Sequence, residues 1–188
     1  MLVAFGLGNP GKQYQGSRHN LGKEAVIELA ERLNLHFAPG QGDYYVCEKP
    51  DLGLWLAVST TYMNLSGRSA LQVVERLGIS PGELLVVCDD FNLPLGLIRL
   101  RRGGGDGGHK GLGSVIYELG TTEFPRLRLG IGPLPEGVDA QDFVLSCFDG
   151  EQVEVAAEVR RVAGEAILKV ATDGMEKAMN KFNRRIDT

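Results

Sequence analysis

Apolar and polar positions along the chain follow two alternating periods. Residues 1–6 (MLVAFG) are a short apolar run closing on glycine, the mark of a buried strand rather than a helix. Over residues 20–34 the period lengthens: Leu21, Ala25, Leu29 and Leu33 recur at helical spacing, with Glu24, Glu28, Glu31 and Arg32 on other faces. Residues 44–48 and 54–59 are rich in aromatic and branched side chains, and the turn material Lys49-Pro50-Asp51-Leu52-Gly53 between them predicts a hairpin. A second helix is expected over 64–77, burying Leu65, Val73, Val74 and Leu77 and stopping at Gly78 ahead of Pro81. Residues 83–88 form a continuous apolar strand of the kind covered on both faces. From 96 to 102 apolar and basic residues alternate as in a half-exposed strand. A glycine loop, a helix over 110–119 and a strand over 127–132 follow. Val155, Val159, Val162, Ala166 and Val170 stripe a long helix over 153–170, and Gly174 separates it from a last helix over 175–182.

Strands alternating with helices predict an α/β fold: a mixed, mostly parallel central sheet with helices on both faces. Residues 1–188 show no linker, repeat or low-complexity stretch, so a single domain is expected. Composition adds three constraints. With 43% hydrophobic and 23% charged residues, the chain has enough apolar surface to offset the entropy of ordering, which excludes a disordered protein. The 26 glycines are about twice the usual share of roughly 7%, and without a collagen-like period they belong to loops. No apolar run approaches the roughly 18–20 residues of a membrane span, and no signal peptide is visible, so a cytoplasmic protein is expected. Cys47, Cys88 and Cys147, widely spaced, odd in number and flanked by apolar residues, read as buried free thiols of a reducing cytosol. A net charge of −4 argues against a general nucleic-acid coat but leaves room for a local basic patch.

Candidate chemistry sits where strands end. Gly6-Leu7-Gly8-Asn9-Pro10-Gly11 formally matches the glycine fingerprint of dinucleotide-binding folds. However, Pro10 interrupts it, no helix opens after it, and the first helix occupies the place of the expected acidic residue. The turn is better read as bringing Asn9 to the carboxyl ends of the strands. His19, in Ser17-Arg18-His19-Asn20 ahead of the first helix, is either a cap or surface histidine or a proton-transfer group. In Thr60-Thr61-Tyr62-Met63-Asn64-Leu65-Ser66-Gly67, Asn64 or Ser66 can cap the second helix. Asp89 and Asp90 close a buried strand and suit an Asx turn. His36 and His109 lie in unrelated contexts, so no metal site is expected. Residues 103–109 (GGGDGGH) are a flexible connection or a mobile loop over a site. Arg99-Leu100-Arg101-Arg102 precedes them, and guanidinium groups suit phosphate. Arg126, Arg128, Lys181, Arg184 and Arg185 could extend that patch.

Taken together and in order, these motifs, with Gly107-Gly108-His109-Lys110-Gly111-Leu112 and Arg126-Leu127-Arg128-Leu129-Gly130-Ile131-Gly132, closely resemble bacterial peptidyl-tRNA hydrolase. The likeness runs from about residue 2 to Asp173-Gly174 and Lys177-Ala178-Met179-Asn180, essentially the whole chain. It implies a monomeric three-layer α/β/α globule and a hydrolase, free of metal and cofactor, that cleaves the ester between a peptide and the terminal ribose of tRNA, recycling tRNA. By the same resemblance His19 is the general base, Asp89 orients and polarises it, and Asn9 and Asn64 hold the water, the peptide and the developing oxyanion. Tyr14, Asn20 and Met63 line the cleft, with Tyr62, His109 and Lys110 among the substrate contacts. Arg101 and Arg128 fall where the family places basic residues near tRNA phosphate. The family usually has Asn where this chain has Lys110, and Lys cannot copy both the donor and the acceptor of an amide. An RNA-binding relative with reduced or lost hydrolysis is the alternative, resting on Lys110 alone. A dinucleotide-dependent enzyme fails on the context of the glycines.

Overall fold

A computed structural model describes residues 1–183. Seven strands form one sheet: β1 (Leu2–Gly6), β2 (Ala38–Pro39), β3 (Tyr44–Lys49), β4 (Leu54–Ser59), β5 (Leu84–Pro94), β6 (Ile98–Arg101) and β7 (Arg126–Gly132). Their order across the sheet is β2-β3-β4-β1-β5-β7-β6. The central β4, β1, β5 and β7 run parallel, and the antiparallel pairings of β2, β3 and β6 finish the two sides. The helices are α1 (Leu21–Arg32), α2 (Ser66–Leu77), α3 (Lys110–Leu119), α4 (Ala140–Leu145), α5 (Gln152–Asp173) and α6 (Met175–Phe182).

The pleat of the strands divides the core in two. Ala4, Leu85, Val87, Leu127 and Leu129 pack with α1, α5 and α6, whereas Val3, Phe5, Leu84, Val86 and Cys88 pack with α2 and α3. Alternate residues of one strand thus serve opposite layers. Because β1 is flanked by β4 and β5, and because α1 and α2 cover opposite faces, the chain changes direction beside β1. A crevice opens at such a point, at the carboxyl ends of the strands. The loops after β1 and β4 and the far half of β5 all meet there.

Three differences from the periodic pattern matter for that crevice. Residues 63–65 form a separate 3-10 turn ahead of α2, which takes Leu65 out of helical phase and leaves it 51% exposed instead of buried. β5 continues six residues beyond Cys88, carrying Asp89 and Asp90 along the sheet and past an irregularity before Pro94. β7 admits this extension because a Cβ on Gly130 would stand 2.0 Å from the Pro94 carbonyl oxygen. Finally, α4 has fewer than two turns and escapes a periodicity search, although Asp139 caps it by accepting from the Gln141 and Asp142 backbone N–H groups.

Gly22 lets α1 lie directly on β5: a Cβ there would stand 2.4 Å from the Val87 carbonyl oxygen, with only backbone around it. Helix propensity alone favours Gly22→Ala by ~1 kcal/mol. Overpacking against backbone costs ~1–3 kcal/mol and should dominate. Urea unfolding of Gly22→Ala is therefore expected to show a lowered midpoint, and a raised midpoint would refute this account of the α1–β5 contact.

Candidate active site

His19 lies in a buried 3-10 turn, Arg18–Asn20, that leads straight into α1. Its Nδ1 is 2.9 and 3.0 Å from the two carboxylate oxygens of Asp89 on β5. An acceptor on that side places the ring proton on Nδ1 and leaves Nε2 with a free lone pair. A second imidazole completes the group. His109 Nε2 is 2.9 Å from Asp89 Oδ1, and the two rings lie 4.8 Å apart. The tautomer of His109 follows from its other nitrogen, since Nδ1 accepts from the backbone N–H groups of Gly111 (3.1 Å) and Leu112 (3.2 Å) as the N-cap of α3. His109 Nε2 therefore carries the proton and donates it to Asp89.

Burial opposes a charge on Asp89, but the two imidazoles outweigh it and hold the carboxyl well below the usual carboxylate range. Each of the three side chains also offers a ligand atom within 4.8 Å of the others, so the contexts of His109 and Asp89, unrelated in sequence, converge in space. This donor set does not fit a metal ion. A metal on His109 Nε2 would call for a proton on Nδ1, where two backbone N–H groups already point. The arrangement suits proton transfer.

A cleft of about 670 Å³ opens over this group. Asn9 reaches it from the loop after β1. Its Oδ1 accepts from the Met63 N–H at 2.8 Å, which leaves the Nδ2 donor for the cleft. Asn64 is exposed on the same wall, beside the largely buried Met63. Tyr14 and Tyr62 meet edge to face at its rim, ring centroids 6.3 Å apart. Asn20, expected on the wall, stands behind it. Its amide bonds to the Asn9 backbone, accepting from N at 2.8 Å and donating to O at 3.1 Å, so it braces Asn9 and is not among the residues that line the cleft.

The basic residues separate into three kinds. Arg101, at the end of β6, is exposed on the cleft and has no ion-pair partner among the described residues. Arg128 also lines the cleft, but it is paired with Asp90 and its side chain is 29% exposed. Arg126 is buried against the Phe124 ring and donates to the carbonyls of Gly105 (2.8 Å) and Thr122 (3.1 Å). It therefore anchors the glycine loop and does not extend a surface patch. Lys110 donates to Gln141 Oε1 at 3.0 Å, linking the start of α3 to α4 at the rim. Lys181 lies on α6 away from the cleft lining, and Arg184 and Arg185 lie outside the described residues.

Comparison with known proteins bears on the family and the fold. A family model described as peptidyl-tRNA hydrolase matches residues 3–188. A peptidyl-tRNA hydrolase from Chlorobaculum parvum is 42% identical over 190 residues, covering 99% of this chain and all of the relative. One from Salinibacter ruber is 43% identical over 189 residues, covering 97% of each. The crystal structure of peptidyl-tRNA hydrolase from Acinetobacter baumannii superposes with a TM-score of 0.91 at 28% identity, covering 98% of this chain and 95% of that one.

His109 has two structural duties, and substitution can separate them. His109→Ala removes a helix cap, worth ~0.5–2 kcal/mol. It also removes a hydrogen bond to a buried charge, worth ~1.5–3 kcal/mol. His109→Asn keeps a capping oxygen but cannot reach Asp89 in the same way. Urea unfolding should rank stability as wild type, then Asn, then Ala; equal losses in the two variants would remove the capping role.

Proposed function

The chain belongs to the peptidyl-tRNA hydrolase family, and on that premise we propose that it hydrolyses the ester between a peptide and the terminal ribose of tRNA, with His19 as general base and without metal or cofactor. The observation that carries the mechanism is the His19–Asp89 contact at 2.9 Å, which turns the unprotonated Nε2 away from the carboxylate. Nε2 takes a proton from water as the water oxygen bonds to the ester carbonyl carbon. The tetrahedral intermediate then collapses, the bond to the ribose oxygen breaks, and the imidazolium returns its proton to that oxygen. Free tRNA and a peptide carboxylic acid leave. Asp89 stabilises the imidazolium while it exists and holds the ring in the correct tautomer. General-base assistance of this kind contributes typically ~10²–10⁴-fold.

Asn9 Nδ2 and the Asn64 amide serve as donors to the oxyanion and the peptide, and each such donor is typically worth ~10²–10³-fold. Asn9 is preorganised for this, since Met63 and Asn20 hold it from behind. The Tyr14–Tyr62 edge, with Met63, gives the peptide an apolar and aromatic wall. Arg101 meets phosphate directly, whereas Arg128 must first exchange Asp90 for it. Lys110 adds a cation at the rim, and its bond to Gln141 leaves the two imidazoles and Asp89 intact. That weighs against a relative that has lost hydrolysis. No helix among the described residues is long and apolar enough to cross a membrane. A monomer working in the cytoplasm, with residues 1–188 as one folding unit, completes the proposal.

Incubation with N-acyl-aminoacyl-tRNA, with chelator and without added cofactor, should release free tRNA. His19→Ala should lower that rate at least ~10²-fold while unfolding stays cooperative. Near-full activity in this variant would sink the mechanism.

The phosphate contacts should act on binding. Arg101→Ala is expected to raise KM more than it lowers kcat, and to flatten the salt dependence by roughly 0.7–0.9 in log–log slope. Arg128→Ala should change both less, because its charge is already compensated by Asp90. Equal effects would mean that the ion pair opens freely.

A further inference from the structure

Arg18 precedes the general base in the chain and is only 6% exposed. The guanidinium lies between two aromatic rings, 4.8 Å from the centroid of Phe143 on α4 and 4.9 Å from that of Phe148 in the segment after it. Nη1 donates to Ser146 Oγ at 2.7 Å and to the Cys147 carbonyl, and Nη2 donates to Gln152 Oε1 at 2.5 Å. The backbone joins in: Arg18 N–H donates to the Ser146 carbonyl at 2.9 Å, and Ser17 bridges Cys147. Every one of these partners belongs to the stretch from α4 to the first residue of α5.

None of those hydrogen-bond partners is charged, and Asp149, in the same segment, bears on the guanidinium through its charge without forming an ion pair with it among the described residues. Burial costs the guanidinium hydration and pulls its pKa down, with the Asp149 carboxylate opposing this only in part, so the charge itself is a poor device for stability. What a guanidinium supplies instead is a rigid planar fork that stacks on rings and directs several hydrogen bonds at once. The turn it holds, Arg18–Asn20, is a single 3-10 turn with little strength of its own. The element at the other end, α4, forms part of the cleft wall through Gln141, Val144 and Leu145.

We propose that Arg18 is a positioning residue that ties the turn bearing His19 to the α4 wall, so that the imidazole stays on Asp89 and its orientation depends on how α4 is seated. Substrate pressed against α4 is then sensed at the general base without touching Arg18. The proposal rests on the hydrolase reading given above, and the two fail differently. Absence of turnover in the wild type would end that reading, whereas the present inference is judged on variants of an active enzyme.

Arg18→Met keeps the bulk and loses the fork; Arg18→Lys keeps the charge and loses the stacking plane. Both are expected to lower kcat tenfold or more with KM within twofold of wild type, at a temperature where melting curves show them folded. The downfield proton resonance of the His19 Nδ1–H should broaden or shift in both. A role confined to stability would lower the melting temperature and leave kcat and that resonance unchanged, which would overturn the proposal. Should neither variant fold, Gln152→Leu decides it, because it removes one hydrogen bond and leaves the guanidinium in place. A threefold or greater loss in kcat at constant KM then supports the tie, and wild-type kcat refutes it.

Discussion

Asp89 must stay charged at 2% exposure, and the two imidazole N–H groups that meet it make this possible. An ion in such surroundings is tolerated only with directed partners. The tautomer of each ring follows from the partner that one of its nitrogens meets. His109 is set by the backbone of α3, and His19 by the carboxylate itself. The three side chains therefore form one hydrogen-bonded network in which both rings donate to Asp89, His109 accepting in turn from the helix start and His19 keeping a free lone pair on Nε2. Removing any link leaves a buried charge or a buried donor unmatched, which is costly in a medium of low dielectric.

The architecture follows from bringing these groups to one place. The parallel centre of the sheet aligns the ends of β1, β4 and β5, and the placement of α1 and α2 on opposite faces opens the crevice above them. Glycines at close approaches make it tight. Gly22 lowers α1, with His19 and Asn20 just ahead of it, onto β5, and Gly130 makes room for the extension of β5 beyond Asp89. Hydrogen bonds do the fine positioning. Asn20 holds Asn9, Asn9 holds Met63, and Arg18 holds the α4 segment.

Around this centre the cleft is chemically divided. Aromatic side chains and Met63 make one wall, and arginines from β6 and β7 line another. In β6 and β7 the arginines face one another in register, Arg99 with Arg128 and Arg101 with Arg126, while Leu100 and Leu127 between them turn into the core. An acidic protein of net charge −4 thereby places Arg101, Arg126 and Arg128 on the lining of the cleft. The compensated state of Arg128 and the buried state of Arg126 leave Arg101 as the least encumbered of the lining arginines.

The elements that depend on short-range periodicity were legible from residues alone. α1 and the long α5 announce themselves through a spacing of about 3.6 residues and β6 through alternation, while β1 shows as a short apolar run and the β3–β4 hairpin as aromatic and branched segments around turn material; the alternation of types implies the layered sheet. His19, Asp89, Asn9 and Asn64 were legible as candidates because each follows a strand and precedes a helix, turn or loop, and a resemblance joined them in order. What stayed hidden shares one cause. His19 meets Asp89 across 70 residues and His109 meets it across 20, while Arg18 reaches partners 128 to 134 residues away. The order of strands in the sheet decides which of these groups meet, and local spacing carries no record of it. The same holds for Asn20, Arg126 and Arg128, polar residues in loop or strand patterns that look equally available in sequence. Only the packed structure assigns one to bracing Asn9, one to anchoring a loop and one to a carboxylate, because burial and pairing are properties of neighbours in space.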